Sequence, residues 1–178
     1  MASPQGYIII KRENEKSPPE ELFGVLARSI GEETLHDLRM STFSEGARRI
    51  PGPNAKELLH YGVNFSDPRL RPSFQDILGC SFDEAIHSEV EVIFWVTNKT
   101  QLPRYPAGLR GTIHIFYTAT TQELHEDNGI FRIVEGSHTM TRGQSNHIEP
   151  IPIRLQPNDI LIMSADLTIQ YPQAGGVG

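Results

Sequence analysis

The side chain best placed for acid–base chemistry is His114, which lies inside an apolar segment. Residues 113–119 have the β-branched and aromatic composition of a strand, and isoleucines flank the histidine. Because side chains alternate along a strand, His114 shares one face with Phe116 and Thr118. Imidazole titrates near neutral pH, so His114 could act as a general acid or base or donate a hydrogen bond. A hydrogen-bonded core histidine without a functional role is the alternative.

A second group of polar residues has the spacing of a metal motif. His125, Glu126 and Asp127 form a His-x-Asp triplet, and His138 and His147 follow it. Imidazole and carboxylate are the usual ligands of non-heme iron. The triplet directly precedes Asn-Gly, a strong turn signal. We therefore favour a solvated turn over a metal site, and we assign His138 a structural role in a later turn.

Other catalytic patterns are missing from the sequence. It contains no Gly-x-Ser-x-Gly nucleophile motif, and its glycine-rich run at 174–178 opens no helix that could bind phosphate. The one cysteine, Cys80, cannot form a disulfide within the chain or a cysteine metal cluster. The net charge of -6 disfavours binding to nucleic acid.

The composition is typical of a globular protein. Hydrophobic residues make up 38% and charged residues 21% of the 178 residues. The first residues lack the basic and apolar regions of a signal peptide, and no apolar run is long enough to cross a membrane. We therefore expect a cytoplasmic protein whose partner is a small molecule, with no nucleic acid or membrane partner. A homodimer is compatible with the sequence.

The elements that position these residues fall into two parts. Residues 6–12 indicate a short buried strand. Ser17 and Glu20 have the spacing of a capping box, which begins a helix that Gly31 can end. Further short helices are predicted at 32–40, 55–60, 74–78 and 82–86.

The second part consists of short strands. They are predicted at 90–96, 113–119, 130–134, 151–155, 160–163 and 168–171, with loops at 97–111 and 139–149. Helices followed by strands indicate an α+β fold, which we expect to form a single domain over residues 1–178. Its helical part, 1–87, contains one strand, and its strand core is 88–178. Alternation places a row of apolar side chains on one face: Leu161, Met163, Ala165, Leu167 and Ile169.

Three segments, in this order, resemble the phytanoyl-CoA-dioxygenase branch of the iron- and 2-oxoglutarate-dependent oxygenases. Residues 128–138, NGIFRIVEGSH, are similar to the family's NGxLRVxPGSH, and residues 155–163, LQPNDILIM, are similar to its LxxGDxLxF strand. The strand at 113–119 lies at the expected distance before them. The resemblance covers about residues 88–178. It implies a double-stranded β-helix, a jelly-roll or cupin-like barrel, with the N-terminal helices packed on it.

The resemblance also implies where iron ligands would stand. Such enzymes hold iron with two histidines and one carboxylate. The His-x-Asp position corresponds to about Asn98-Lys99-Thr100, and residues 92–113 contain no histidine or acid. The second histidine corresponds to Ile169, whose side chain has no lone pair. We therefore expect no iron, no 2-oxoglutarate and no other cofactor.

A barrel of this kind without its metal would still have a concave, largely apolar cavity. By analogy of fold, we predict a cofactor-independent cyclase or isomerase, of the Diels–Alderase kind, acting on an apolar intermediate of natural-product biosynthesis. The predicted catalytic residues are His114, Asn98 and Thr100. The predicted substrate-binding residues are Trp95, Tyr105, Phe116, Thr118, Met163, Leu167 and Ile169.

Two alternatives remain open at this point. One is an iron- and 2-oxoglutarate-dependent dioxygenase whose ligands are displaced, for instance to His114 or to His125 and Asp127. The other is a small-molecule-binding domain without catalytic activity.

Overall fold

A computed structural model of the chain describes residues 4–12, 21, 47–51, 53–86, 90–95, 104–118, 120–173 and 176–177. The described residues form ten strands: β1 (Tyr7–Ile10), β2 (Ala47–Pro51), β3 (Glu91–Trp95), β4 (Arg104–Pro106), β5 (Ile113–Tyr117), β6 (Arg132–Ile133), β7 (Ile151–Pro152), β8 (Ile160–Ser164), β9 (Thr168–Gln170) and β10 (Gly176–Val177). They also form three α-helices and two 3₁₀ helices: α1 (Pro53–Gly62), α2 (Leu70–Leu78), α3 (Arg142–Ser145), Phe82–Glu84 and Ser137–Thr139.

The strands pair into three antiparallel sheets. Sheet 1 has the order β1-β8-β5, sheet 2 the order β10-β3-β2, and sheet 3 the order β4-β9-β6-β7. Antiparallel sheets accompanied by a few helices agree with the predicted α+β class. No helix in the described part of the chain combines the length and the apolar character needed to span a membrane.

Strand β8 is the centre of sheet 1, and its sequence, Ile-Leu-Ile-Met-Ser, explains why. All five of its residues are buried. Its backbone pairs with β1 on one side, where Tyr7 lies opposite Met163, and with β5 on the other, where His114 lies opposite Met163. A strand that is apolar on both faces is stable only where both faces are covered.

The two faces of β8 contribute to two separate hydrophobic cores. Core 1 lies between sheets 1 and 3 and contains Leu124, Ile130, Phe131, Ile133, Ile153, Leu155, Leu161, Met163, Leu167, Ile169 and Tyr171. Core 2 lies between sheet 1 and the helices and contains Ile10, Val63, Leu70, Phe74, Tyr117, Ile160 and Ile162. The predicted apolar row is therefore confirmed for Leu161, Met163, Leu167 and Ile169, which all lie in core 1.

Helices α1 and α2 cover the outer face of sheet 1. Helix α2 tolerates Pro72 because a proline in the first turn removes no intrahelical hydrogen bond. It ends at Gly79, whose left-handed backbone (φ of 73°) lets its N–H donate to the Gln75 carbonyl. At the end of α1, a Cβ atom on Gly62 would lie 2.1 Å from the Tyr117 ring. Only glycine allows this close approach of helix and strand.

A buried carboxylate, that of Asp159, stabilises the turn before β8. Asp159 has no exposed surface, and its Oδ2 atom accepts a hydrogen bond from the Gln156 backbone N–H at 2.8 Å. The same oxygen pairs with Lys11 Nζ at 2.6 Å. Next to it, Asn158 adopts a positive φ of 69° and accepts a 2.8 Å hydrogen bond from the Tyr117 hydroxyl. These contacts tie β1, β5 and β8 together at one end.

Several elements differ from the sequence-based predictions. The loop predicted at 97–111 contains β4, and the loop predicted at 139–149 contains α3. The N-terminal part contains a second strand, β2, although the sequence predicts only the strand at 6–12 there. Strand β10 is also not predicted. These strands are only two to five residues long and exist because a partner strand is present, so local periodicity does not reveal them.

Other predicted elements are present with shorter bounds or cannot be assessed. The strand predicted at 130–134 is reduced to β6, and that at 151–155 to β7 with an isolated bridge between Leu155 and Leu124. The helices predicted at 17–31 and 32–40 lie, except for Glu21, outside the described residues.

The packing of β8 predicts that replacing a buried isoleucine by alanine lowers the stability of the protein much more than replacing an exposed one. Ile162→Ala leaves a cavity in core 2, where the side chain is fully buried. It should lower the free energy of unfolding by about 2–5 kcal/mol. Ile151→Ala in β7, where 36% of the residue is exposed, is the matched control and should cost less than about 1 kcal/mol. Urea titration measures both; equal losses would contradict the assigned core.

Tyr117 predicts a stability loss at alkaline pH. Burial raises the pKa of its hydroxyl to about 12, whereas an unfolded tyrosine titrates near about 10. The unfolded chain therefore loses its proton first, and stability should fall by on the order of 2 kcal/mol as pH rises from about 10 to about 12. Tyr117→Phe should be less stable at pH 7, because the bond to Asn158 is lost, but should show a shallower alkaline decline. Tyr61→Phe, at an exposed tyrosine, is the control. Identical declines in wild type and Tyr117→Phe would contradict this assignment.

Candidate functional site

His114 lies on the face of β5 that is directed toward core 1. Its neighbour on that face is Phe116, with ring centroids 5.9 Å apart. Phe116 in turn contacts Phe131 of core 1 edge-to-face, at 5.4 Å. The predicted shared face of His114 and Phe116 is therefore present. Both side chains are only partly buried, so His114 stands at the margin of the core.

The imidazole is held by the backbone that follows β4. His114 Nε2 lies 3.2 Å from the carbonyl oxygen of Ala107. A carbonyl oxygen can only accept, so this hydrogen bond requires the proton on Nε2. In the neutral ring the basic atom is then Nδ1. The contact fixes both the tautomer and the orientation of the ring, which an acid–base residue requires.

Gly108 allows this backbone to approach the histidine. A Cβ atom at position 108 would lie 2.7 Å from His114 Nε2 and 3.1 Å from the Ala165 Cβ. Backbone hydrogen bonds fix the segment: Ala107 N–H donates to Leu167 at 2.9 Å, and Gly108 N–H donates to Ala165 at 2.8 Å. The chain after β4 thus continues along the β8–β9 turn and covers the imidazole.

Three partly buried hydrophobic residues pack on core 1 at the margin where His114 lies: Tyr105, Ala107 and Phe116. We call these three residues and His114 the His114 rim. Tyr105 lies on β4 directly opposite Ile169 on β9. Its ring contacts Tyr171 edge-to-face, with centroids 5.1 Å apart. The rim therefore combines an imidazole with aromatic and aliphatic surface.

The other predicted substrate-binding residues lie deeper. Met163 and Leu167 expose no surface, and Ile169 exposes 3%. They form the floor behind the rim. Thr118 is also buried, and its Oγ1 atom has no hydrogen-bond partner among the described residues.

Three predicted residues cannot be placed in this site. Asn98 and Thr100 lie outside the described residues. Trp95 is the last residue of β3, where it pairs with Gly176 and Ala47, but its side chain is outside the described part. Their proposed roles remain predictions.

The residue that the sequence resemblance assigns to the second iron-binding histidine, Ile169, offers no metal ligand. Ile169 is flanked across the sheet by Tyr105 and Ile133, and its side chain belongs to core 1. Iron requires imidazole, carboxylate or another lone-pair donor. Within the described residues, no group of three His, Cys, Asp or Glu side chains is arranged to hold a metal.

The His125-Asp127 pair lies in an exposed turn. His125 Nδ1 is 3.6 Å from Asp127 Oδ2, and the Asp127 side chain is 87% exposed. Glu126 is engaged with Arg132, whose Nε donates to it at 2.6 Å. The contacts agree with the interpretation of this triplet as a solvated turn.

Sequence reasoning missed Ala107 and Gly108, which hold and cover His114. The Pro-Ala-Gly run at 106–108 carried a signal, since glycine beside a short strand often marks a close backbone approach. That signal does not identify the group that approaches, which only the pairing of β4 with β9 reveals.

The fold of the chain is similar to that of several solved enzymes, whereas no family model and no curated protein matches the sequence. SnoK, the non-heme alpha-ketoglutarate-dependent carbocyclase from nogalamycin biosynthesis, aligns with 98% of this chain and 78% of its own, with a TM-score of 0.58 and 12% identity.

Two further structures show the same relation. The epimerase SnoN, solved with Fe³⁺, alpha-ketoglutarate and nogalamycin RO, aligns with 98% of this chain and 77% of its own, with a TM-score of 0.53 and 13% identity. HygX from Streptomyces hygroscopicus, solved with nickel and 2-oxoglutarate, aligns with 96% and 78%, with a TM-score of 0.52 and 14% identity. The likeness is one of fold, and it agrees with the fold that the sequence resemblance implies; the phytanoyl-CoA-dioxygenase branch remains a prediction.

The packing of Gly108 against His114 predicts that substitutions at these two positions have coupled effects on stability. Gly108→Ala should push the imidazole from the Ala107 carbonyl and cost about 1–3 kcal/mol of stability. Gly143→Ala is the matched control, because a Cβ there meets no heavy atom within 4 Å. In a His114→Ala background, Gly108→Ala should cost clearly less. Chemical denaturation gives the energies, and imidazole ¹⁵N shifts report the tautomer. A cost unchanged by His114→Ala would show that the strain lies elsewhere.

Proposed function

We propose that this chain is a metal-independent cyclase or isomerase that acts on a largely apolar intermediate of natural-product biosynthesis. In this proposal the three sheets close into a double-stranded β-helix of the phytanoyl-CoA-dioxygenase type. The His114 rim forms the substrate-facing wall, with core 1 as its floor.

The observation that carries the proposal is the hydrocarbon character of the inner face of sheet 3. Where the resemblance assigns an iron-binding histidine, Ile169 packs between Tyr105 and Ile133 in core 1. The segment assigned to the His-x-Asp ligands, within 92–113, contains no histidine or acid. Neither position offers the imidazole or carboxylate that iron needs.

The neighbours support the choice of ring closure or isomerisation within this fold. SnoK is named a carbocyclase and SnoN an epimerase, both of nogalamycin biosynthesis. Ring formation by a pericyclic step, and isomerisation by proton transfer, neither add nor remove electrons overall. Such steps require no oxidant, which is why a chain without metal ligands could catalyse them.

The residues of the rim suggest how the reaction would be promoted. Tyr105 and Phe116 would hold an apolar substrate in one reactive conformer, which lowers the entropic part of the barrier. His114, whose ring is positioned by the Ala107 carbonyl, would take a proton from an acidic carbon of the substrate and return it to another atom. Asn98 and Thr100 would donate hydrogen bonds to a polarised carbonyl.

Buried residues would act indirectly. Met163, Leu167 and Ile169 expose almost no surface, so they would set the position of the rim from behind. Trp95 and Thr118 complete the proposed substrate-binding set.

The first test compares the mass of product and substrate. Natural-product intermediates would be incubated with the protein in the presence of EDTA and analysed by chromatography and mass spectrometry. We expect a product with the same mass as its precursor. A product formed only with added Fe(II) and 2-oxoglutarate and accompanied by succinate would establish the dioxygenase alternative, whether its mass is unchanged, higher by one oxygen atom or lower by two hydrogen atoms. Saturable binding without any product would establish the non-catalytic alternative.

The second test compares the effects of replacing His114 and His125 on the rate of catalysis. His114→Ala should lower kcat by about 10²-fold or more, because a general acid–base group is lost, while the thermal midpoint changes little. His125→Ala, in the exposed turn, is the matched control and should leave kcat unchanged. Full activity of His114→Ala would remove His114 from the mechanism, and loss of activity in His125→Ala would favour the displaced-ligand oxygenase.

A further inference from the structure

We infer that a pocket bordered by β4 and β9 of sheet 3 binds a small molecule through a carboxylate or phosphate group. The pocket has a volume of about 280 Å³ and lies between the β4–β9 pair and the segment 137–146. This volume is close to the lower end of ligand pockets, about 300 Å³, so it suits one small molecule.

This pocket borders the His114 rim at one residue. On β9, Thr168 lines the pocket whereas its neighbour Ile169 belongs to core 1, because successive side chains of a strand point to opposite faces. On β4, Arg104, Tyr105 and Pro106 all line the pocket, and Tyr105 also packs on core 1. The pocket lining does not include His114, so a ligand bound here would lie beside the proposed substrate space and share only Tyr105 with it.

The lining is cationic in an acidic protein. Three arginines, Arg104, Arg110 and Arg142, line the pocket together with one acid, Asp166, whereas the whole chain carries a net charge of -6. A local excess of positive charge against this background attracts anions.

The three arginines have different roles. The Arg104 guanidinium is anchored, because it donates to the carbonyls of Asn146 at 3.2 Å and Ile148 at 2.6 Å and pairs with Glu149 at 3.2 Å. Arg110 and Arg142 are exposed, and neither forms an ion pair with another described residue. These two charges are the ones available to an incoming oxyanion.

The floor of the pocket is polar and fixed. Ser137 and Thr168 are buried, and the Ser137 Oγ accepts a 2.7 Å hydrogen bond from the Thr168 N–H. His138 also lines the pocket, and its buried Nδ1 atom has no hydrogen-bond partner among the described residues. Hydroxyl groups and guanidinium groups together are the donors that bind carboxylate and phosphate oxygens.

The experiment is a titration followed by ¹H–¹⁵N correlation spectra at constant ionic strength. The probes are inorganic phosphate and malonate, with chloride as the control. We expect saturable shifts of pocket amides such as Thr139 and Thr168, and none with chloride. Saturation by malonate alone would assign a carboxylate ligand, and saturation by phosphate alone a phosphate ligand. Shifts that stay linear with both probes would overturn the inference.

Two charge variants with a matched control test the lining. Arg142→Gln should weaken binding by about tenfold, since a charge-assisted hydrogen bond is lost. Asp166→Asn should strengthen it by about threefold, because a like charge is removed. Arg154→Gln, which removes a 66% exposed arginine paired with Glu123, should leave the affinity unchanged. Equal affinity of wild type and Arg142→Gln, or an equal loss in Arg154→Gln, would contradict a built site. Because the titration measures binding alone, and none of the substituted residues belongs to the rim, these outcomes do not depend on the proposed catalysis.

Discussion

The burial of β8 on both faces constrains most of the described structure. Leu161 and Met163 contribute to core 1, whereas Ile160 and Ile162 contribute to core 2. A shift of one residue in its pairing would send each set to the wrong core. The register is therefore held at one end of the strand and on its outer face. Lys11 and Tyr117 contact the turn that precedes the strand, and helix α2 closes core 2 over its outer face. The same register places Leu161 and Met163 in one core with Leu167 and Ile169, so that sheet 1 and sheet 3 pack against each other.

The same register determines the place of the only rim histidine. His114 lies opposite Met163, so it must face core 1 together with Phe116. The turn from β8 to β9 then carries Ala165 and Leu167, whose carbonyls hold Ala107 and Gly108 over the imidazole. A general acid–base residue is useful when its ring is oriented before substrate arrives. Here backbone groups contribute to that orientation, because the Ala107 carbonyl lies 3.2 Å from His114 Nε2.

The parts that sequence reasoning predicted share one property, which is local periodicity. Strands β5 and β8 have it, and the shared face of His114 and Phe116 followed directly from it. Strand β4 has none, because its three residues become a strand only through pairing with β9. The prediction that Tyr105 binds substrate therefore rests on its aromatic side chain alone. The local sequence does not indicate that Tyr105 lies opposite Ile169. The polar pocket was missed for a similar reason: its arginines are separated by up to 38 residues and meet only through β4 and α3.

The chemistry of Ile169 also has a consequence for stability. In a metal enzyme of this fold, buried imidazole and carboxylate groups would be satisfied by the ion and costly without it. The sequence resemblance assigns Ile169 to such a position, and the burial of an isoleucine side chain contributes about 1.5–3 kcal/mol. The strands β4, β9 and β6 are thus held together by hydrocarbon contact among Tyr105, Ile169 and Ile133. This contact uses the inner face of β9, and the polar side chains of β9 are left to the opposite face, where Thr168 borders the cationic pocket.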